Sequence, residues 1–297
     1  MEKVLITGAN GLLGQKCVSL FSPDYEVLGI DIHDNSFTKN SKYVYQKSDI
    51  TQRTALRKVV LPFFPKYIIN TAAYTNVDAS ETNKEDCWKI NVEGVSNLIY
   101  VASKINAKIV HISTDYIFDG ENGPYKEDDT PKPLGYYGKS KLASENELLR
   151  CDLEFAIART MVLYGAAVNV RPNFVTWLID KLRDKEKVTI VDDQFGNPTL
   201  ADDLAFAIKQ IIEREKWDIF HVSGSELVDR YTFAIQIADI FKLDKNLITP
   251  IKTADLNQQA PRPLKSGFIL DKLKEELNLE MPTNEQSLKT MKKQYRK

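Results

Sequence analysis

The stretch KVLITGANGLLG, residues 3–14, decides the fold. Its β-branched start predicts a buried strand, and the apolar residues that follow it, through GQKCVSLF at 14–21, recur at helical spacing. Glycine permits a tight turn, close approach of a pyrophosphate and close packing of helix on strand. A strand, a glycine loop and a helix in this order predict a dinucleotide site at Gly8, Gly11, Leu12, Leu13 and Gly14, with phosphates bound by N–H groups at the helix start.

The next strand, EVLGID at residues 26–31, ends in Asp31 and is followed by Ile32. A carboxylate there accepts hydrogen bonds from both adenosine-ribose hydroxyls but repels a 2′-phosphate. We therefore expect NAD to be preferred over NADP. Tolerance of NADP is compatible with three basic residues nearby, namely His33, Lys39 and Lys42.

Two further segments are expected along the cofactor. Asp49 and Ile50 follow a third strand and would meet the adenine, although Asp49 suits a helix N-cap or a turn almost as well. The stretch NTAAYT at 70–75 closes a fourth strand with small residues and places Ala72, Ala73 and Tyr74 beside the cofactor. Asn91 is expected in the middle of a helix, where asparagine is unfavourable, so it either bridges helix and sheet or serves a catalytic relay.

The strand pattern predicts an α/β fold. Short buried runs at 66–70, 108–114, 155–160 and 219–224 alternate with helical stretches such as 83–104 and 139–150. Such alternation predicts a parallel sheet covered on both faces. The pattern loosens after Thr160, so we expect a dinucleotide-binding domain of residues 1–160 plus 199–226 and a smaller lobe of residues 161–198 plus 227–297.

The bulk composition sets limits on function. The 297 residues are 43% hydrophobic and 27% charged, with a net charge of −1, which disfavours a nucleic-acid or membrane partner. The start lacks signal-peptide features. The three cysteines and three histidines are scattered, so we expect buried thiols and incidental imidazoles, no disulfide and no metal, in a reducing cytoplasm.

The stretch YYGKSK at 136–141 places Tyr137 one helical turn before Lys141. A free phenol has a pKa of about 10, and a nearby ammonium lowers that pKa toward the range useful for acid–base catalysis. Thr114 ends a strand 23 residues earlier, and its hydroxyl could hold a substrate carbonyl beside the phenol. The three residues predict a catalytic group.

Taken together, these motifs resemble those of the extended short-chain dehydrogenase/reductase family. Within that family, the chain is similar to the subfamily of dTDP-4-dehydrorhamnose reductases. The likeness covers about residues 3–275 and includes NTAAYTNVDASE, ISTDYIFDG, PLGYYGKSKLASE, DQFGNPT and RPLKSGFILDKL in the subfamily's order. The resemblance implies a seven-stranded Rossmann domain and a small C-terminal substrate lobe. It also implies that Tyr137 donates the proton, that Lys141 binds the nicotinamide ribose and tunes Tyr137, and that Thr114 positions the carbonyl.

The expected function is therefore an NAD(P)H-dependent reductase of a 4-keto nucleotide-sugar. Asp115, Tyr116, Asn173, Gln194 and Arg262 are the remaining expected substrate contacts, with Arg262, and Lys265 near it, at the pyrophosphate. Each has an alternative: an N-cap for Asn173, a closed turn for Asp193 and Gln194, and a solvated loop for Arg262. The basic segment 289–297 is expected to be a solvated terminus.

Two positions depart from the subfamily. Val162 stands where a tryptophan commonly lies near the sugar, which leaves the identity of the sugar open. Lys16 stands where some relatives carry a glutamate linked to metal-bridged dimers, so we expect no such metal. A homodimer is nevertheless compatible with the resemblance.

Two other functions stay open. The β subunit of methionine adenosyltransferase, a regulatory protein, is similar in GLLG, DYIFDG and FHVSGSELVDRYTFAIQIADIF, and such subunits can keep the tyrosine and lysine. An epimerase or dehydratase would use the same fold. Dehydratases usually add an acidic pair beside the catalytic threonine, whereas Asp115 here is followed by Tyr116.

Overall fold

The computed structural model describes residues 1–39, 43–256 and 258–295. Its strands are β1 (Lys3–Thr7), β2 (Glu26–Asp31), β3 (Tyr43–Lys47), β4 (Tyr67–Asn70), β5 (Lys108–Thr114), β6 (Phe155–Thr160), β7 (Leu163–Tyr164), β8 (Val188–Val191), β9 (Phe195–Gly196), β10 (Thr199–Leu200), β11 (Ile219–His221), β12 (Val228–Asp229) and β13 (Ile248–Ile251). Its α-helices are α1 (Leu12–Phe21), α2 (Arg53–Phe63), α3 (Lys84–Trp88), α4 (Gly94–Ser103), α5 (Tyr136–Leu149), α6 (Phe174–Arg183), α7 (Ala201–Glu213), α8 (Arg230–Phe241), α9 (Asp271–Leu277) and α10 (Asn284–Gln294).

The central sheet has seven parallel strands in the order β11-β6-β5-β4-β1-β2-β3. Buried apolar residues run along its inner strands because helices cover both faces. One face packs on α1 and α7, and the opposite face packs on α2 and α4. The sequence-based prediction of a Rossmann-type α/β fold is confirmed.

The predicted strands agree with the observed ones to within a few residues, and two helices differ in an informative way. The stretch 83–104 is divided into α3, a π-helical turn at Lys89–Glu93 and α4. Helix α5 begins at Tyr136, three residues before the predicted start, so Tyr137 and Lys141 both lie on it. π-turns within helices are frequent at functional sites.

The second lobe packs around its own apolar core, formed by α6, α8, α10 and the parallel pair β8–β13. Leu273 and Leu277 of α9 instead pack beneath the central sheet with the residues of α1 and α7. The division of the chain into two units at the expected boundaries stays a prediction. Among the described residues, no helix is long and apolar enough to cross a bilayer.

Candidate active site

A cleft of about 1130 Å³ lies along the carboxyl ends of the central strands. Its wall is formed by residues that follow six of these strands, including Gly8 after β1, Asp31 at the end of β2 and Thr114 at the end of β5. The chain runs outward in opposite directions from β1, which pairs with β4 on one side and β2 on the other. Ligands of open α/β sheets bind at such a switch point.

The glycine loop forms one end of this cleft. Gly8 has a φ of +63°, and a Cβ added to Gly14 would overlap the carbonyl oxygen of Gly8, so helix and turn touch through their backbones. Among the described residues, no side chain caps the start of α1 at Gly11, and Leu12 and Leu13 line the cleft. This loop fits the pyrophosphate of a dinucleotide, because it offers N–H groups and excludes side chains from the space.

Asp31 also lines the cleft and is held by main-chain donors. Its Oδ2 accepts a hydrogen bond from Asn10 N at 3.1 Å, and its Oδ1 accepts one from Ile32 N at 2.8 Å. The carboxylate thus supports the glycine loop as well as facing the place expected for the ribose. His33 and Lys39 are exposed nearby, and Lys42 lies outside the described residues.

The expected adenine contacts lie in the same wall. Asp49 closes a turn, because its Oδ1 accepts a hydrogen bond from Thr51 N at 2.8 Å, and it also borders the cleft together with Ile50. Ile32 lines the cleft with 62% of its surface exposed. Both interpretations of Asp49 therefore have a structural basis.

Ala72 and Ala73 line the cleft where β4 ends. Asn91 lies in the π-turn, and its Oδ1 accepts a hydrogen bond from Tyr74 N at 2.8 Å while its Nδ2 donates to Ser140 Oγ at 2.9 Å. Asn91 thus ties the loop after β4 to α5, which favours the bridging role over the relay. Tyr74 and Asn91 lie behind the wall of the cleft rather than in it.

Tyr137, Lys141 and Thr114 meet in the cleft. The first turn of α5 is fixed by Glu81, whose Oε1 accepts a hydrogen bond from Tyr136 N at 2.7 Å. A Cβ added to Gly138 would overlap the carbonyl oxygen of Tyr116, so α5 lies directly on the segment that follows Thr114. This close approach brings the tyrosine to the end of β5.

The electrostatics differ from the expectation in one respect. Burial, and then the carboxylate of Asp115, raises the pKa of Tyr137, while a hydrogen bond with Thr114 opposes the rise. Burial lowers the pKa of Lys141 to about 8. The expected net fall in the pKa of Tyr137 is not found in this structure, because burial raises that pKa. The Lys141 ammonium lies against Ile112 O (2.6 Å) and His111 Nε2 (3.0 Å).

Hydrogen-bonded side chains form the opposite end of the cleft. Thr114 Oγ1 donates to Asp115 Oδ1 at 3.1 Å, and Ser266 Oγ donates to Asp115 Oδ2 at 2.7 Å. Arg262 Nη2 donates to Asp78 Oδ2 at 2.8 Å. Tyr116 lies between these groups, with the Arg262 guanidinium 5.9 Å from its ring centroid. Asp115, Tyr116 and Arg262 all line the cleft, and their contact with a substrate stays a prediction.

Residues 165–172, which we call the strap, cross the cleft beside the glycine loop. Gln15 of α1 pairs with Val168 through two hydrogen bonds of 2.7 and 3.0 Å, and Arg171 Nη2 donates to Thr75 Oγ1 at 3.0 Å. Asn173 follows the strap, caps α6 through Thr176 N and lines the cleft. Its N-cap role is therefore observed, and its contact with a substrate stays a prediction.

Gln194 lies outside the cleft wall and donates to Thr253 Oγ1 at 3.1 Å, while the Asp193 carboxylate accepts hydrogen bonds from Thr253. The structure therefore supports the interpretation that Asp193 and Gln194 close a turn. Lys265 is exposed. Of the basic tail, residues 296 and 297 lie outside the described residues.

The two departures from the subfamily occupy different regions. Val162 lines the cleft with a φ of +46°, an uncommon conformation for a β-branched residue. Lys16 contacts Asp202 Oδ2 (3.1 Å) and Gln294 Oε1 (2.6 Å), away from the cleft. Within the described residues, no group of three or more His, Cys, Asp or Glu side chains could hold a metal ion.

Sequence reasoning missed several residues of this site. His111 was grouped with the incidental imidazoles, yet it contacts Lys141. Asp78, Gln15 and Arg171 were not singled out. A polar residue inside an apolar strand was the available signal for His111, because buried polar groups are informative exceptions. The other three depend on partners far away in the sequence.

A glycine loop, an acidic residue ending β2, and a tyrosine–lysine pair beside a threonine define an extended short-chain dehydrogenase/reductase, a class of NAD(P)-dependent oxidoreductases. Family matching agrees with this class: the model of the RmlD substrate binding domain matches residues 1–297. The chain belongs to that family.

The chain is similar to proteins of more than one function. The dTDP-4-dehydrorhamnose reductase of Aggregatibacter actinomycetemcomitans is 34% identical over 305 residues, covering 98% of each chain. Methionine adenosyltransferase 2 subunit beta of Bos taurus is 32% identical over 269 residues, covering 88% of this chain and 79% of that protein. The structure of a dTDP-4-dehydrorhamnose reductase from Bacillus anthracis in complex with NADP has a TM-score of 0.89 at 32% identity, covering 99% of each chain.

Proposed function

We propose that this protein reduces a 4-keto nucleotide-sugar with NADH or NADPH. The observation that carries the proposal is one cleft lined by the glycine loop, by Asp31, and by Thr114, Tyr137 and Lys141. The cleft, at about 1130 Å³, lies just above the range of about 300–1,000 Å³ that is usual for ligand pockets. Reductase relatives at 34% and 32% identity support the same reaction.

In this proposal each residue has a separate task. A bound nicotinamide dinucleotide supplies the hydride that reduces the keto carbon. Tyr137 gives its hydroxyl proton to the carbonyl oxygen. Thr114 holds that oxygen, for which its hydroxyl must turn from Asp115, its present acceptor.

Lys141 holds the nicotinamide ribose, and Asp31 holds the adenosine ribose. Asp31 favours NADH, since its carboxylate would repel a 2′-phosphate. Arg262 and Tyr116 face the nucleotide-sugar, with Arg262 at its pyrophosphate. A homodimer and a cytoplasmic location stay predictions.

A turnover assay tests the proposal. The purified protein is mixed with NADH or NADPH and with a panel of 4-keto sugars carried on dTDP or UDP, and the loss of reduced nicotinamide is followed. We expect turnover with at least one member. Because Val162 replaces the subfamily's tryptophan, the best substrate need not be the dTDP-rhamnose precursor. Absence of turnover with every member would overturn the reductase proposal.

The 32% identity to methionine adenosyltransferase 2 subunit beta supports a second candidate, a regulatory subunit of a methionine adenosyltransferase. In a regulatory subunit the dinucleotide site would be kept. The end of the cleft formed by Asp115, Tyr116 and Arg262 would then contact a partner protein instead of a nucleotide-sugar. Calorimetric titration with dTDP and UDP separates the two. If neither nucleotide binds at millimolar concentration and no sugar turns over, the regulatory function is favoured.

A further inference from the structure

Lys141 is buried, and its ammonium has two hydrogen-bonding partners beyond its own helix. Nζ donates to Ile112 O at 2.6 Å and lies 3.0 Å from His111 Nε2. Both partners come from β5, the strand that ends in Thr114. The lysine that the proposed reaction needs is therefore fixed from the sheet, while Asn91 is engaged with Tyr74 and Ser140.

The histidine continues a chain of buried polar groups toward the glycine loop. His111 Nδ1 lies 3.0 Å from Asn70 Nδ2, and Thr7 Oγ1 lies 2.6 Å from Asn70 Oδ1. Thr7, Asn70 and His111 are at most 1% exposed. Thr7 directly precedes Gly8, so the chain crosses β5, β4 and β1 and joins the two ends of the cleft.

The charge of Lys141 decides the direction of these hydrogen bonds. A charged ammonium can only donate, so Nε2 must be unprotonated and Nδ1 must carry the proton. Nδ1–H then donates to the Asn70 oxygen once the amide is turned from its placement in the structure, where Nδ2 faces Nδ1. A neutral amine can accept, and then Nε2–H donates to it while the Asn70 NH₂ group donates to Nδ1. Ser144 Oγ also lies 3.1 Å from Nε2 and, as placed, donates to Lys141 O at 2.6 Å. Rotation of the Asn70 amide and of the Thr7 and Ser144 hydroxyls satisfies either arrangement, since all three groups can donate and accept.

We propose that His111 is a positioning residue for Lys141, whose Nε2 accepts a hydrogen bond from the ammonium and, with Asn70 holding its Nδ1–H, keeps the lysine charged and aimed at the cofactor. This inference rests on the proposed function, because it assumes that Lys141 binds the nicotinamide ribose. The imidazole stays neutral throughout: burial, and then the charge of Lys141, hold the pKa of His111 well below its usual value.

The other ionisable groups near the lysine come from two helices. Glu145 of α5 lies one turn further along and is paired with Arg159, with 2.8 Å between Arg159 Nη2 and Glu145 Oε2. The Sγ atom of Cys87 in α3 lies 3.3 Å from Oγ of Ser140, the residue before the lysine in α5. Both oppose the effect of burial, which lowers the pKa of Lys141 to about 8. His111 Nε2, as a hydrogen-bond acceptor, also stabilises the charged form of Lys141. Loss of His111 removes that stabilisation.

The test measures cofactor affinity against pH, for which no sugar is required. Above a pH of about 8 the unmodified protein should bind NADH more weakly, as Lys141 loses its proton. His111→Leu should move this alkaline limit about one to two pH units lower, because the ammonium loses a hydrogen bond. His111→Gln, whose amide oxygen can accept, should keep the limit within about half a unit. His221→Leu is the matched control, since His221 is equally buried and lies outside the cleft.

Asn70→Ala is a second variant in case His111→Leu fails to fold. Without the Asn70 acceptor the Nε2–H tautomer is favoured, which should shift the limit in the same direction. An unshifted limit in both variants, or an equal shift in His221→Leu, would overturn the inference. Failure of the unmodified protein to bind any nicotinamide dinucleotide would overturn it together with the cofactor assignment. A shifted limit without turnover of any sugar would support His111 and reject the reductase proposal.

Discussion

The two ends of the cleft are built from different parts of the chain. At the glycine-loop end, backbone atoms form the surface, and Gly8 and Gly14 leave no room for side chains. At the opposite end, side chains form the surface and satisfy one another, as Arg262 does with Asp78 and Thr114 with Asp115. A backbone surface suits a fixed ligand group such as a pyrophosphate, whereas paired side chains must exchange partners when a ligand arrives.

The largest expected effect tests the chemistry at the side-chain end. Tyr137→Phe removes one hydroxyl, so NADH affinity and folding should survive while turnover falls by about 10²–10⁴. The measurements are steady-state kinetics and cofactor titration. Tyr136→Phe is the matched control, since this ring points toward Trp88 and Lys84. Near-normal turnover of Tyr137→Phe would remove Tyr137 from its role.

The second effect tests the backbone end. Gly14→Ala forces a Cβ onto the carbonyl oxygen of Gly8, an overlap that costs about 1–3 kcal/mol, so NADH affinity should fall roughly ten- to a hundred-fold. Gly196→Ala is the control, because Gly196 lies in β9 outside the cleft wall and its Cβ would meet only the Met161 and Val162 side chains, at 3.0 and 3.7 Å. Equal losses in both variants would mean that the fit of backbone to backbone does not set affinity here.

This contrast also explains how much could be predicted from the sequence. The glycine loop, Asp31 and the Tyr137–Lys141 pair are patterns within short windows, because they are set by a turn, a strand end and one helical turn. The partners of the side-chain end are distant in sequence: Arg262 meets Asp78 across 184 positions and Ser266 meets Asp115 across 151. Such pairs become visible only when the chain is folded.

The sequence predicts a lowered pKa for Tyr137, whereas in the structure that pKa is raised, and the reason is similar. A spacing of four residues shows that Tyr137 and Lys141 share a helix face, but it does not reveal how deeply they are buried or what else they contact. The lysine finds His111 and Ile112 on β5, and burial then dominates both pKa values. Family resemblance supplied the roles of these residues, and the structure supplied their partners.

The third effect tests whether Arg262 exchanges Asp78 for a phosphate. Arg262→Ala should raise the KM for the nucleotide-sugar about ten-fold with little change in kcat, because the phosphates are remote from the reacting carbon and bind alike in the ground and transition states. Arg150→Ala, which removes an exposed arginine at the end of α5, should change neither value. If dTDP and UDP bind the Arg262 variant and the unmodified protein equally, the arginine does not contact the nucleotide.

The smallest effect concerns Asp31, where backbone support and ligand recognition meet in one side chain. NADH should bind the unmodified protein a few-fold more tightly than NADPH, since repulsion between partly solvated charges is worth about 0.2–1 kcal/mol. Asp31→Ala should narrow this ratio. It should also weaken both cofactors, because Asn10 N and Ile32 N lose their acceptor and the glycine loop loosens. The ratio of NADH to NADPH affinity, measured by calorimetry, therefore tests the contact of Asp31 with the ribose. The loss of affinity that both cofactors share tests its support of the glycine loop.

Asp34→Ala controls for the removal of a nearby exposed carboxylate, one that pairs with Lys47 at 2.7 Å, and should leave both affinities unchanged. Ten-fold tighter binding of NADPH by the unmodified protein would show that the acidic end of β2 does not select the cofactor. The role of Asp31 would then be limited to holding the glycine loop.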